Sequence, residues 1–249
     1  MNKVERYRQT LRALDEWEPF LLRESGLPGP RGNLELVRAA ADTGSETQFR
    51  RWLAYDADRA PTNSPQEFLA VCGVVGLGRL LAEGRLDLLP TIRACAADPR
   101  WRTREGVAMA LQRWGAADMD ALLAAMDGWS HGSLLERRAA VAALCEPALL
   151  TDRAHVFHVL RLLDAITSSL QGEANRGSDD FKVLRKALGY GWSVAVAACP
   201  AAGKPALETW LSCGDRDVNW VMKENLKKDR LARMDAAWVA ASKTRLGMG

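Results

Sequence analysis

The chain has 249 residues, 48% of them hydrophobic and 26% charged, a balance typical of folded proteins that excludes wholesale disorder. No run approaches the roughly 18 consecutive apolar residues of a membrane span, and the opening MNKVERYRQTLRALDEWEPFLL alternates charged with apolar residues, unlike a secretory leader. A net charge of +3 is too small to diagnose a nucleic-acid partner, so only the local placement of charge is informative.

Along the chain, strand signals are absent and Ala, Leu, Arg and Glu dominate, which predicts an all-α fold. Breakers fall at Ser25–Asn33 (SGLPGPRGN), Asp58–Pro65 (DRAPTNSP), Asp98–Pro99, Gly128–Gly132, Pro147, Gln171–Asp179, Pro200–Gly203 and Gly214–Asp217. They leave about twelve helical segments joined by short connections, the arrangement that helix–turn–helix repeats require. We read one domain over 1–249: atypical N-terminal helices in 1–64, repeats in 65–235 and a terminal capping helix in 236–249. The five cysteines, Cys72, Cys95, Cys145, Cys199 and Cys213, are odd in number and contain no C-x-x-C. Free thiols in a reducing compartment follow, and the cytoplasm is the expected location.

An octet recurs within this span. Asp98-Pro-Arg-Trp101-Arg-Thr-Arg104-Glu105 matches Asp217-Val-Asn-Trp220-Val-Met-Lys223-Glu224 in its Asp, Trp, basic and Glu positions. Weaker copies begin at Arg137 and Arg185. Asp98 and Asp217 are placed to cap the helices that follow, and the tryptophans to pack on a neighbouring helix. The segments DPRWRTREGVAMALQRW, ERRAAVAALCEPALL, LRKALGYGWSVAVAACP and DVNWVMKENLKKDRL resemble HEAT-repeat proteins of bacteria over about residues 65–235. That resemblance implies an α-α superhelix, a solenoid of stacked antiparallel helix pairs. It implies nothing about catalysis.

The candidate contact residues cluster toward the C-terminal end. Lys223, Lys227 and Arg230 stand at i, i+4 and i+7, so one continuous helix would line them along one face, with Lys228 close by. Arg185 and Lys186 are placed to reach the same surface from the preceding repeat, with Tyr190 and Trp192 as aromatic contacts. This predicts a non-enzymatic binding or scaffold module, with no metal or cofactor, that recognises a protein or a polyanion on its concave face. The competing reading of the stripe is a solvated face on a capping repeat. Arg104 and Arg137 lie on apolar arcs and are expected to pair internally with carboxylates.

The nine tryptophans admit an alternative. The chain is distantly similar in fold, size and basic C-terminal repeats to the HEAT-like alkylpurine DNA glycosylases. Those proteins hold a damaged nucleoside against tryptophans and an aspartate, and by that resemblance the chain would bind DNA. Trp101 with Asp98 and Trp220 with Asp217 are the close pairs of that composition, while the family's Trp-Trp-Asp signature is not found. Gly73, Gly76 and Gly78 read as close helix packing, because no strand precedes them and no Gly-Lys-Ser/Thr follows. His155 and His158 are too few for a metal site.

Overall fold

A computed structural model of the chain describes residues 2–248. Among them fifteen α-helices and three short 3-10 segments make up all the regular structure, and there is no strand. The chain divides into two compact units, Met1–Ala117 and Asp118–Gly249. This division falls inside the span 65–235 that the sequence reads as one series of repeats.

Helices begin where short polar side chains can satisfy free amides. Asn33 opens one helix by accepting from Leu36 N at 3.2 Å. Ser45 and Ser133 open two others, each in a capping box with Gln48 or Glu136, and each such cap stabilises its helix by about 1 kcal/mol. Pro200 does not lie in a loop. It is the first residue of a helix, where a missing N–H costs nothing.

The first unit contains α1 (Lys3–Arg12), α2 (Glu18–Glu24), α3 (Leu34–Thr43), α4 (Glu46–Leu53), α5 (Glu67–Ala82), α6 (Leu89–Cys95) and α7 (Trp101–Ala117). Helices α1, α3, α5 and α7 pack in that order, each against the next, while α2, α4 and α6 also pack on α5. Surrounded in this way, α5 is apolar almost all round, and Glu67 to Gly78 are buried without a break. Its glycines admit close neighbours: a Cβ on Gly76 would lie 2.3 Å from the Phe49 ring, and one on Gly78 2.4 Å from Ala110.

The second unit contains α8 (Met119–Trp129), α9 (Leu134–Leu144), α10 (Arg153–Ser169), α11 (Asp179–Ala198), α12 (Pro200–Glu208), α13 (Arg216–Leu226), α14 (Asp229–Met234) and α15 (Ala236–Arg245). Helix α11 packs between α9 and α13, and α10 between α8 and α12. A Cβ on Gly191 would lie 2.8 Å from Val141, which holds α9 and α11 close. On the other flank the buried Asn225 accepts from Ser193 N at 2.7 Å and donates to Leu188 O at 2.9 Å, locking α13 to α11. No described helix is long and apolar enough to cross a membrane. All five cysteines are free, and burial pushes the Cys145 thiol up to about 12.

Candidate functional site

The C-terminal candidates are only partly brought together. Helix α13 ends at Leu226, Lys227 is its C-cap, and Lys228 is the N-cap of α14, which carries Arg230. The expected stripe of Lys223, Lys227 and Arg230 is therefore broken between two helices. Arg230 instead lies over the Tyr190 ring, 4.5 Å from its centroid, and donates to the phenol oxygen at 2.7 Å. Lys227 pairs with Glu224 at 2.5 Å. Lys186, Lys223 and Lys228 have no ion-pair or hydrogen-bond partner for their side chains among the described residues. Trp192 offers no ring face to a partner: it is fully buried and donates to Thr167 Oγ1 at 2.9 Å.

Arg185 belongs to a joint rather than to an open surface. It pairs with Asp217 and stacks on Trp220, 4.5 Å from the ring centroid. Asp217 is not the cap of α13. Asp215 takes that role, accepting from Asp217 N at 2.9 Å and Val218 N at 3.1 Å. Burial pushes the Asp217 carboxyl up, but hydrogen bonds from Arg185 and Arg176 outweigh it and hold the group below the usual carboxylate range. A carboxylate so enclosed is unsuited to catalysis. Asp98 is also occupied, by the Arg100 guanidinium at 2.6 Å and 2.9 Å. The arginine buried in α7 is Arg102, not Arg104, whose Nη1 donates to the carbonyls of Asp98 at 2.6 Å and Pro99 at 2.9 Å. Arg137 reaches Ser169 Oγ at 3.1 Å rather than a carboxylate. His155 and His158 bond to different aspartates, Asp120 and Asp127.

A better-formed site lies in the first unit and is built at the start of α7. Arg100 is buried and donates to the carbonyls of Tyr55 at 2.7 Å, Asp56 at 3.1 Å and Ala60 at 3.2 Å, fastening the loop after α4. Arg102 is also buried: it pairs with the fully buried Glu67 at 3.1 Å and donates to Gly29 O at 2.7 Å, fastening the loop before α3. Asn63, at φ +69°, completes this joint by donating from its backbone N to Glu67 at 2.7 Å. Between the two anchored arginines, Trp101 stands 46% exposed, with the Arg102 guanidinium 4.4 Å from its ring centroid. Both flanking residues are fixed by charge-assisted hydrogen bonds, so the indole is presented in a set orientation.

Trp101 borders a cavity of ≈ 430 Å³, lined also by Leu27, Pro30, Leu34, Val37, Phe68, Val71 and Met109, with Arg31, Arg102 and Glu105 among them. A second cavity of ≈ 550 Å³ meets it at Met109 and is lined by Arg8, Arg38, Asp42, Val75, Gln112 and Arg113. The helical period explains the continuity: residues 101, 105, 109 and 113 share one face of α7, and 34, 38 and 42 one face of α3. We read the two cavities, which share Met109 in their linings, as one groove over α3, α5 and α7, apolar in the first and cationic in the second. No protein-family model, curated protein or solved structure matches the chain. The groove therefore rests on its own geometry.

Sequence reasoning placed Trp101 as a packing residue and missed this groove. The signal was the tripeptide Arg100-Trp101-Arg102. Successive side chains diverge by about 100° around the axis, and here Arg100 and Arg102 take the inward directions while Trp101 points out.

Proposed function

We propose that the protein is a non-enzymatic binding module of the HEAT-repeat type, working in the cytoplasm, that holds a protein partner in the groove over α3, α5 and α7. Paired helices packed side by side within each unit support the repeat reading, with a superhelical stack as its extended form. Five free cysteines fit a reducing compartment. The observation that carries the function is Trp101, left exposed beside an apolar cavity while both flanking arginines are buried to hold it there. Exposed aromatics fixed next to apolar cavities are the usual anchors of protein interfaces. We read Lys186, Lys223, Lys228 and the Tyr190–Arg230 pair as secondary contacts for an anionic partner on the second unit.

The test is a quantitative pull-down from nuclease-treated lysate with the wild-type chain, Trp101→Ala and Lys223→Glu. A protein captured by wild type and Lys223→Glu but lost with Trp101→Ala is the expected result. Capture that vanishes on nuclease treatment, or is unchanged in Trp101→Ala, contradicts it.

One observation favours a second reading, DNA binding of the alkylation-repair type. Trp101 and Glu105 stand one helical turn apart on the cavity wall, which supplies an aromatic face and a carboxylate together. Duplex binding that weakens steeply with salt, and release of a methylated base that is lost in Glu105→Gln, are its expected signatures.

A further inference from the structure

Building on the groove assigned above, the geometry points to the chemistry of its occupant: a peptide segment with an apolar or aromatic anchor residue flanked by acidic side chains. The anchor follows from the apolar end. Leu34 and Trp101 are the exposed large apolar residues there, 47% and 46% accessible, and they face the same cavity. A side chain entering between them covers two surfaces that otherwise meet water, and its own burial drives the docking.

The acidic residues follow from the charges. Around the second cavity three guanidinium groups, Arg8, Arg38 and Arg113, meet one carboxylate, Asp42. Asp42 is shared by Arg8 and Arg113, the latter at 2.5 Å, and Arg8 also holds Glu5 at 3.1 Å. Burial pushes the Asp42 carboxyl up, but the hydrogen bonds from Arg8 and Arg113 outweigh it and hold the group ionised and occupied. Arg38 is left over, exposed and with no partner among the described residues. Arg31, at the rim of the apolar cavity, is likewise exposed and unpaired among them. Two free guanidinium groups thus stand near the anchor position, Arg31 in the apolar cavity's lining and Arg38 one helical turn from Leu34, each able to take a carboxylate through two parallel hydrogen bonds.

Spacing follows from helix geometry. Leu34 to Arg38 spans about 6 Å of helix axis, and Trp101 to Arg113 about 18 Å. An extended peptide covers these lengths in roughly two to six residues. A nucleic-acid strand fits less well, because phosphates need a continuous row of free cations and here two, Arg31 and Arg38, stand beside an apolar cavity.

The experiment is a displayed random-peptide library panned against the full-length chain, followed by fluorescence anisotropy with the selected peptides. The variants are Trp101→Ala and Arg38→Glu, both at exposed positions, with folding checked by circular dichroism. Enrichment of Asp or Glu within about six residues of Leu, Phe or Trp is expected, each variant weakening binding by about tenfold or more, Trp101→Ala through lost apolar contact and Arg38→Glu through a lost charge-assisted one. Panning on Arg38→Glu should shift the flanking residues toward Lys. Selected peptides that lack acidic residues yet depend on Trp101 overturn this inference and leave the groove reading standing. Failure to enrich any peptide over an unrelated control overturns both, and displacement of the selected peptides by a single-stranded oligonucleotide overturns the peptide assignment in favour of nucleic acid.

Discussion

The joint at Arg102 in the first unit and the joint at Arg185 in the second each combine an arginine, a tryptophan and a carboxylate, with different outcomes. Each has an arginine stacked on a tryptophan, at 4.4 Å and 4.5 Å, and paired with a buried carboxylate, Glu67 or Asp217. In the second unit the arginine and tryptophan come from different helices, α11 and α13, and Trp220 closes against Gly189, where a Cβ would lie 3.1 Å from the ring. In the first unit they are neighbours on α7, so the arginine turns inward to Glu67 and the indole is left outside. The ion pair stabilises the fold in both. The difference is one of degree: Trp101 is left 46% exposed, whereas Trp220 is half-buried.

The comparison can be broken by removing the parts one at a time. The largest effect is expected from Trp192→Ala, which empties a fully buried site in α11 and strands Thr167 without its donor. A loss of about 3–5 kcal/mol in denaturant unfolding is expected, and a loss below about 1 kcal/mol would show that this tryptophan is not a core residue. Next is Asp217→Asn, which removes the charge shared by Arg185 and Arg176. Both arginines keep some contact with water, so about 2–3 kcal/mol is expected rather than the full penalty of an isolated buried charge.

Its pH dependence sharpens the contrast. Burial pushes the Asp215 and Asp217 carboxyls up, but both titrate below the usual carboxylate range in the folded chain, Asp215 held there by Arg176 and two amides and Asp217 by Arg185 and Arg176. Their contribution is complete above the unfolded value of about 4 and is lost as pH falls through the lower folded values. The stability gap between wild type and Asp217→Asn should therefore be widest at neutral pH and shrink below pH of about 4. A gap that stays constant with pH would mean that Asp217 acts by packing alone.

How much of this was legible in the sequence depended on local chemistry. The breaks at Ser25–Asn33 and Gln171–Asp179 were readable because glycine, proline and capping residues cluster there. The end of α13 was not, because no glycine or proline marks Leu226 and the chain leaves the helix at Lys227 and re-enters one at Asp229. The cap of α13 was misassigned because Asp215 and Asp217 are both suited to it, and only the backbone decides which of the two precedes the first helical residue. On α7 the apolar arc of Val107, Ala108 and Leu111 is buried, but Arg104 is only half-buried at its edge, and the buried arginine is Arg102, beside the exposed Trp101. Hydropathy alone does not tell which of the neighbouring arginines finds a buried carboxylate, here Glu67 for Arg102.

The smallest effect on stability is expected from Trp101→Ala, within about 1 kcal/mol of wild type, because the ring is half exposed and its neighbours are anchored independently. Measuring that stability on the same sample as the affinity for a selected peptide tests the central claim most directly. An unfolding midpoint close to wild type together with a loss of binding of about tenfold or more is expected. A midpoint lowered as far as in Trp192→Ala, with binding retained, would contradict it and would make Trp101 a second Trp220.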